Sequence, residues 1–344
     1  MRVCKQWYSL ATPYLYETII IGRCKTLKTL HYLLQPSHSP ENSEVGNDHP
    51  LGWWSTRLDV AMRDNDDGLT DIKLESLLQI IQSLPNLKIL VFRITASNYQ
   101  YNFPSSFVPH LSRLPGRNLQ AIVWYTRALT PNPHQWHAFL VNMPTIRTFS
   151  CIHMDQLSDD PLPALPALRT LCLPHSRSSF LNSTTSIPSL RHLIFVACSV
   201  DIGWKKFLLN YGHQLEVVRV HIIWKSGVSH VLYTISQSCP KLRRLDIAIQ
   251  TWGDLPQDGL SLPATIRTFG LYCKHLQAPR AGYKQLFSAL RNMKVGPAFK
   301  FIQFLNPSNV MDLCEHHRGL LLANVPELDE LRFRMLDHEG RILL

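Results

Sequence analysis

Apolar residues recur along this chain in trios with a constant internal spacing. An anchor residue is followed three positions later by a second apolar residue and two positions after that by a third, as in Leu168, Leu171 and Leu173. The other anchors of this kind are Leu87, Leu119, Ile146, Leu190, Leu215, Leu242, Ile266 and Leu328. The last two members of each trio are separated by one residue, which is the spacing that places both on the same face of a strand. The pattern therefore predicts one short strand in each unit.

The spacing of the anchors indicates a repeat protein. Successive anchors lie 22 to 32 residues apart, except for one interval of 62 residues that leaves room for a further strand at residues 299–304. Leucine-rich repeats have a period of about 20–29 residues, and each strand buries its apolar face only by stacking on its neighbours. We therefore predict an α/β fold, a leucine-rich-repeat solenoid with a curved parallel sheet on the concave face and helices and irregular loops on the convex face.

Prolines and helical periodicity complete this prediction. A proline, which suits the point where a loop becomes a strand, stands two residues before the anchor at Pro85, Pro144, Pro166, Pro188, Pro240 and Pro326. Helices are expected at residues 23–35, 71–84, 134–143, 204–211, 228–238, 283–293 and 309–324. Residues 36–50 are expected to form a mobile loop, and residues 56–60 an extra strand. The predicted divisions are 1–22, then 23–52 for a helix and the loop, and 53–344 for degenerate repeats.

The amino-terminal segment carries a family resemblance. Val3-Cys4-Lys5-Gln6-Trp7 reads as a helix that Thr12-Pro13 ends, and Tyr14 to Ile21, which includes Leu15-Tyr16-Glu17-Thr18-Ile19, reads as a strand. This stretch resembles the end of an F-box and its exit into a leucine-rich-repeat domain. The resemblance implies an adaptor of a Skp1-cullin-F-box (SCF) ubiquitin ligase, in which Val3, Cys4 and Trp7 belong to the Skp1-binding part and the repeats hold a protein substrate.

Two other functions stay open. The Leu-Pro-containing helical segment that begins the family's F-box is absent from this sequence, so a stand-alone repeat scaffold without ligase engagement is the first alternative. The formal charge of +10, from 35 basic and 25 acidic residues, makes a nucleic-acid-associated protein the second and less favoured one. Basic residues follow the anchor at Lys88, Arg147, Arg169, Arg191, Arg243 and Arg267. They would form a row along the sheet that serves solubility or contacts an acidic partner.

Composition and motifs argue against several other classes. No apolar run approaches the roughly 18 residues of a membrane span, and no secretory signal is evident, so we expect a cytoplasmic or nuclear protein without a membrane partner. The cysteines are dispersed, and Cys151 and Cys198 fall at inward positions, which favours buried thiols. No hydrolase elbow, phosphate-binding glycine loop or zinc-protease helix occurs, so we expect no enzyme activity, cofactor or metal.

The predicted strands place a charged and aromatic set on the concave face. Residues two, four and six positions beyond each anchor alternate with the buried trio and should point away from the core. In the carboxy-terminal half these residues include Arg219, His221, Arg244, Asp246, Tyr272, Arg332 and Arg334. Arginine and aromatic residues are enriched among the anchors of protein interfaces. We therefore predict a partner site there, with ordinary solvated sheet residues as the alternative.

Overall fold

A computed structural model of the 344-residue chain describes most of the protein. The described residues are 5–23, 25–34, 50–62, 71–94, 107–112, 118–126, 133–151, 162–173, 186–197, 203–224, 227–275, 277–330 and 333–343. The predicted mobile loop lies outside them except for Pro50, and Val3, Cys4, Cys198 and Arg332 lie outside them entirely.

Short strands and helices alternate along the described residues. The strands are β1 (Thr18–Ile21), β2 (Arg57–Val60), β3 (Ile89–Phe92), β4 (Ala121–Trp124), β5 (Thr148–Cys151), β6 (Thr170–Leu173), β7 (His192–Ala197), β8 (Val217–Ile222), β9 (Arg244–Ile249), β10 (Thr268–Cys273), β11 (Phe301–Phe304) and β12 (Arg334–Leu336). The α-helices are α1 (Lys5–Tyr16), α2 (Lys25–Leu34), α3 (Asp71–Gln82), α4 (Phe107–Ser112), α5 (Pro133–Asn142), α6 (Gly203–Tyr211), α7 (Gly227–Ser238), α8 (Arg280–Arg291), α9 (Pro307–His316) and α10 (Arg318–Glu330). Short 3₁₀ helices occur at Leu51–Trp54, Gly212–Gln214 and Trp252–Asp254.

The chain divides into two compact units. Unit 1 comprises residues 1–169 and 185–189, and unit 2 comprises residues 170–184 and 190–344. In unit 1, β1 to β5 pair in sequence order, and every pair is parallel. One row of register partners, each of them buried, crosses these strands: Ile19, Leu58, Leu90, Ile122 and Phe149.

Unit 2 repeats the same arrangement with β6 to β12. These strands also pair in parallel and in sequence order. The corresponding buried row is Leu171, Leu193, Val218, Leu245, Phe269, Ile302 and Met335. Parallel neighbours require a crossover between strands, and the intervening helices and loops supply it. Each unit therefore has an α/β repeat fold.

The trio pattern is confirmed in all but the last predicted repeat. Every predicted anchor from Leu87 to Ile266 is buried, and Phe299 is the anchor of the extra strand β11 that the long interval predicted. The strand predicted at residues 56–60 is β2. Cys151 is a buried free thiol. The sequence did not predict the short helix α4, and the helix expected at 309–324 is two helices, α9 and α10.

The last repeat was assigned wrongly. Leu328 lies inside α10 rather than before a strand, and the strand begins only at Arg334. Pro326 also lies inside α10. A proline within a helix removes one main-chain hydrogen bond, but Leu328 remains buried there, where α10 packs against α8 and α9. The same sequence pattern is therefore satisfied by a helix.

The first strand is shorter than predicted because α1 continues through Pro13. The helix ends at Tyr16, and β1 starts at Thr18 rather than at Tyr14. Tyr14 and Leu15 are consequently exposed helix residues. Among the described residues, no helix is both long enough and apolar enough to cross a membrane.

Candidate partner-binding face of unit 2

Alternation along the strands places the predicted partner-binding residues on one face of the unit 2 sheet, opposite the buried row. We call Arg219, His221, Arg244, Asp246, Tyr272, Gln303 and Arg334 the arginine face. Arg219 on β8 is the register partner of Asp246 on β9. Arg244, two residues before Asp246, occupies the adjoining row of the same face. Strands are about 4.8 Å apart, so side chains from neighbouring strands can meet.

A buried carboxylate joins two arginines. Arg219 donates to Oδ2 of Asp246 from its Nε at 3.3 Å and from an Nη at 3.0 Å. Arg244 donates from its Nε to Oδ1 of the same carboxylate at 2.9 Å. Only 2% of the Asp246 side chain is exposed, against 46% for Arg219 and 33% for Arg244. Asp246 therefore positions the two guanidinium groups, and its carboxylate is covered by them instead of being open to a partner.

Two residues that sequence reasoning missed complete this arrangement. Gly270 on β10 is the register partner of both Asp246 and Gln303. Its missing side chain leaves space that the Asp246 carboxylate occupies. Gln303 accepts a hydrogen bond from an Nη of Arg244 at 2.9 Å and donates to the carbonyl oxygen of Asp337 at 3.2 Å. Arg244 is thus fixed at both ends of its guanidinium.

The remaining described members lie in the two flanking rows. His221 on β8 and Tyr272 on β10 are both half-buried, and Ala248 lies between them in the register. Arg334 is exposed on β12, in the row of Arg244, with Thr268 and Phe301 between them. The structure therefore brings the predicted residues onto one face, except Arg332, which lies outside the described residues.

Burial lowers the pKa of His221 below its ordinary value, and the positive charges of Lys274 and Arg219 lower it further. The imidazole therefore favours its neutral form beside the arginines. Three guanidinium groups against one carboxylate leave the described arginine face with a surplus of two positive charges. An electropositive surface of this kind favours negatively charged partners.

The same tetrapeptide pattern occurs in unit 1 with a different outcome. Arg57-Leu58-Asp59-Val60 on β2 matches Arg244-Leu245-Asp246-Ile247 on β9. Arg57 donates to both carboxylate oxygens of Asp59, at 2.8 and 3.0 Å, so this pair is closed on itself and neutral. The repeated Arg-Leu-Asp was a signal in the sequence that could have identified the ion pair. Arg219 on β8 and Gln303 on β11 lie far from Asp246 in the sequence, so no local sequence pattern indicates that they join this ion pair.

Two members of the predicted basic row, Arg243 and Arg267, lie at the start of neighbouring strands in unit 2, and Lys300, which was not predicted, continues the row. Main-chain hydrogen bonds connect Arg243, Arg267 and Lys300 in succession, from Arg267 N–H to Arg243 C=O at 2.8 Å and from Lys300 N–H to Arg267 C=O at 2.9 Å. All three residues are exposed. Glu216 interrupts the row before Arg243, and its carboxylate lies 3.7 Å from Nε of Arg191.

The amino-terminal helix presents an apolar stripe. Trp7, Leu10 and Tyr14 follow a spacing of three and four residues on α1, which places them along one side. They are 67%, 60% and 81% exposed. Exposed apolar patches of this kind commonly mark an interaction surface.

No group of three or more His, Cys, Asp or Glu side chains that could hold a metal ion occurs in the part of the chain that the structure describes. The His317 ring contacts the carbonyl oxygen of Ala278 through Nε2 at 3.1 Å and lies against the ring of Tyr283.

Comparison with known proteins identifies no family. No family model and no curated protein matches the chain. A chain of the crystal structure titled "TLR13-ssRNA13 complex" is similar over 72% of this chain, with 17% sequence identity and a TM-score of 0.35. This chain spans 33% of the length of that chain. Nothing about function transfers at this level of similarity, so the α/β repeat assignment depends on the strand pairing and burial described above.

Proposed function

We propose that this protein is a non-enzymatic, protein-binding scaffold of leucine-rich repeats, and that its arginine face binds an acidic segment of a protein partner. The observation that carries the proposal is the pair of guanidinium groups that Asp246 holds side by side. Two cations share one buried anion, so the pair keeps a net positive charge that a partner can neutralise.

The geometry favours recognition over a purely structural ion pair. An arginine fixed in advance loses less side-chain freedom when it binds, and its planar fork can make two hydrogen bonds to one carboxylate. Arg219 and Arg244 retain N–H groups that point away from Asp246, since each guanidinium carries five donors. Tyr272 and Arg334 extend the face with further residue types that are common at the centre of interfaces.

The test uses a partner identified by proximity labelling and then purified. A triple variant, Arg219→Ala, Arg244→Ala and Asp246→Asn, removes both cations without leaving an unpaired carboxylate. The affinity should fall by about thirtyfold or more, because charged interface pairs are worth about 2–5 kcal/mol. The matched control is Arg57→Ala with Asp59→Asn, which removes the neutral pair of unit 1 and should leave affinity unchanged. Equal affinity of the triple variant and the wild type, with both folded, would show that this face is not the binding site.

We propose further that the scaffold is an SCF-type adaptor, with α1 belonging to a Skp1-binding surface. The F-box resemblance at residues 3–19 and the exposed stripe of Trp7, Leu10 and Tyr14 support this role. In a pull-down with purified Skp1, the chain should bind, and Trp7→Ala with Leu10→Ala should reduce binding. A version with a complete F-box fused before residue 1 is the positive control. Skp1 binding by that fusion alone would favour the stand-alone scaffold instead.

A nucleic-acid-associated role is the other candidate, and the exposed row of Arg243, Arg267 and Lys300 favours it. Phosphate contacts of this kind would make the affinity fall steeply with salt, because binding releases condensed counterions. A titration with single-stranded RNA and duplex DNA from low to physiological salt tests it. The absence of binding at low salt removes this candidate and leaves the protein-binding proposal untouched.

A further inference from the structure

A groove lies in unit 2 between α7 and the segment 256–261. Its volume is about 450 Å³, within the range of about 300–1,000 Å³ that ligand sites usually have. Leu232 and Leu260 are its buried apolar residues, and Tyr233, which is 65% exposed, lies beside them. Polar residues, among them Ser236 and Lys294, complete the lining.

One margin of this groove is the edge of a short strand pair. Ser261 and Lys294 form a parallel β-bridge. In this bridge Lys294 N–H donates to the carbonyl oxygen of Leu260 at 2.7 Å, and Leu262 N–H donates to the carbonyl oxygen of Lys294 at 3.1 Å. The neighbours of Ser261 thus supply the bonds to Lys294. Because main-chain groups of successive strand residues point to opposite sides, the N–H and C=O of Ser261 point away from Lys294.

These two main-chain groups have no hydrogen-bond partner among the residues that the structure describes. Gly259 fixes the segment that presents them. Its φ of +96° lies in the left-handed region, and a Cβ at this position would overlap the carbonyl oxygen of Asn292. The backbone of the following repeat therefore holds this edge in place.

We propose that this groove binds an extended peptide segment, which adds a strand along Ser261. A donor and an acceptor on one residue, presented at a strand edge, are satisfied together by a single residue of an extended main chain. The exposed ring of Tyr233 then packs against an apolar side chain of that peptide. This second interaction site is independent of the arginine face and of the ligase role.

The test selects probe peptides and then removes the main-chain contact from each partner in turn. A phage-displayed library of random dodecapeptides is panned on the wild-type protein, in competition with a Tyr233→Glu variant that blocks the groove. The enriched peptides should bind the wild type and lose at least tenfold in affinity with Ser261→Pro, which removes the N–H. Ser261→Ala, which keeps the main chain, should bind as the wild type does.

A second measurement modifies the peptide instead of the protein, so its result does not depend on whether the proline variant folds. Peptides N-methylated at alternate residues lose main-chain donors while the protein stays unchanged, and one of the two methylation registers should lose at least tenfold in affinity. The triple variant of the arginine face should bind these peptides normally. The proposal is overturned if no peptide depends on Tyr233, or if neither N-methylation register weakens binding.

Discussion

Asp246 on β9 and Gly270 on β10 are register partners, and the Asp246 carboxylate occupies the space that a side chain at position 270 would need. The absence of a Cβ allows the carboxylate to lie flat on the sheet, where both arginines reach it. The glycine therefore belongs to the arginine face although it contributes no polar atom.

Gly270→Ala should disturb both stability and the arginine pair. The new methyl would overlap Oδ1 of Asp246 and lie 2.9 Å from Cδ1 of Leu305. Forced overpacking usually costs about 1–3 kcal/mol, and urea unfolding measures it. Gly319→Ala in α10 is the control, because nothing lies within 4 Å of its added Cβ and alanine favours helix. Stability equal to the wild type in Gly270→Ala would contradict the packing.

The stability of the protein should fall in mild acid partly because of His221. Its pKa is lowered from the ordinary value of 6.5 in the folded state, first by burial and then by Lys274 and Arg219. The contribution of the neutral His221 side chain to the free energy of unfolding is fully present above about pH 6.5. It is lost as the pH falls from there toward the folded-state pKa, because the unfolded chain takes up a proton that the folded chain resists.

Unfolding free energies measured from pH 7.5 down to pH 5 check this expectation. His221→Gln should reduce the loss of stability over that range, because its side chain does not titrate. An identical pH dependence in the wild type and the variant would show that His221 does not carry the effect.

Tyr283→Phe should destabilise unit 2. The Tyr283 hydroxyl donates to Oδ2 of Asp312 at 2.8 Å, and both residues are buried. Hydrogen bonds to charged groups contribute about 1.5–3 kcal/mol, so we expect a loss of that order in the free energy of unfolding. Tyr233→Phe removes an exposed hydroxyl and should change stability by less than about 0.5 kcal/mol. Similar losses in the two variants would argue against the buried bond.

Cys239 should resist thiol reagents while the protein is folded. Burial raises the pKa of its thiol to about 12, so only about one molecule in 10⁵ carries the reactive thiolate at pH 7. Maleimide labelling followed by mass spectrometry should find Cys239 unmodified in buffer and modified in urea. Rapid labelling in buffer would show that the thiol is accessible.

Much of the fold followed from the sequence, because a buried strand needs apolar residues at fixed intervals. Leu168, Leu171 and their equivalents satisfy this need locally, so their spacing revealed both strands and register. The prediction at Leu328 is wrong because the same apolar spacing fits a strand or a helix, and only packing against α8 and α9 decides between them.

The candidate site was harder to predict, since its contacts join residues far apart in sequence. Alternation along β8 and β9 placed Arg219, Arg244 and Asp246 on the side of the sheet opposite the buried row, as the structure has them. It could not show that Asp246 would be covered, because that depends on an arginine one strand earlier and a glycine one strand later. Gln303 lies 59 residues from Arg244, so no local pattern connects them.

Residues 342 and 343 pair with the outer edge of β12, the last strand of unit 2. Leu336 of β12 forms an antiparallel bridge with Ile342, and Leu343 N–H donates to the carbonyl oxygen of Met335 at 2.9 Å. Outlying strands with bare main-chain groups invite unwanted association between molecules. Residues 341–343 cover this edge of β12, so deleting them should increase self-association of the protein.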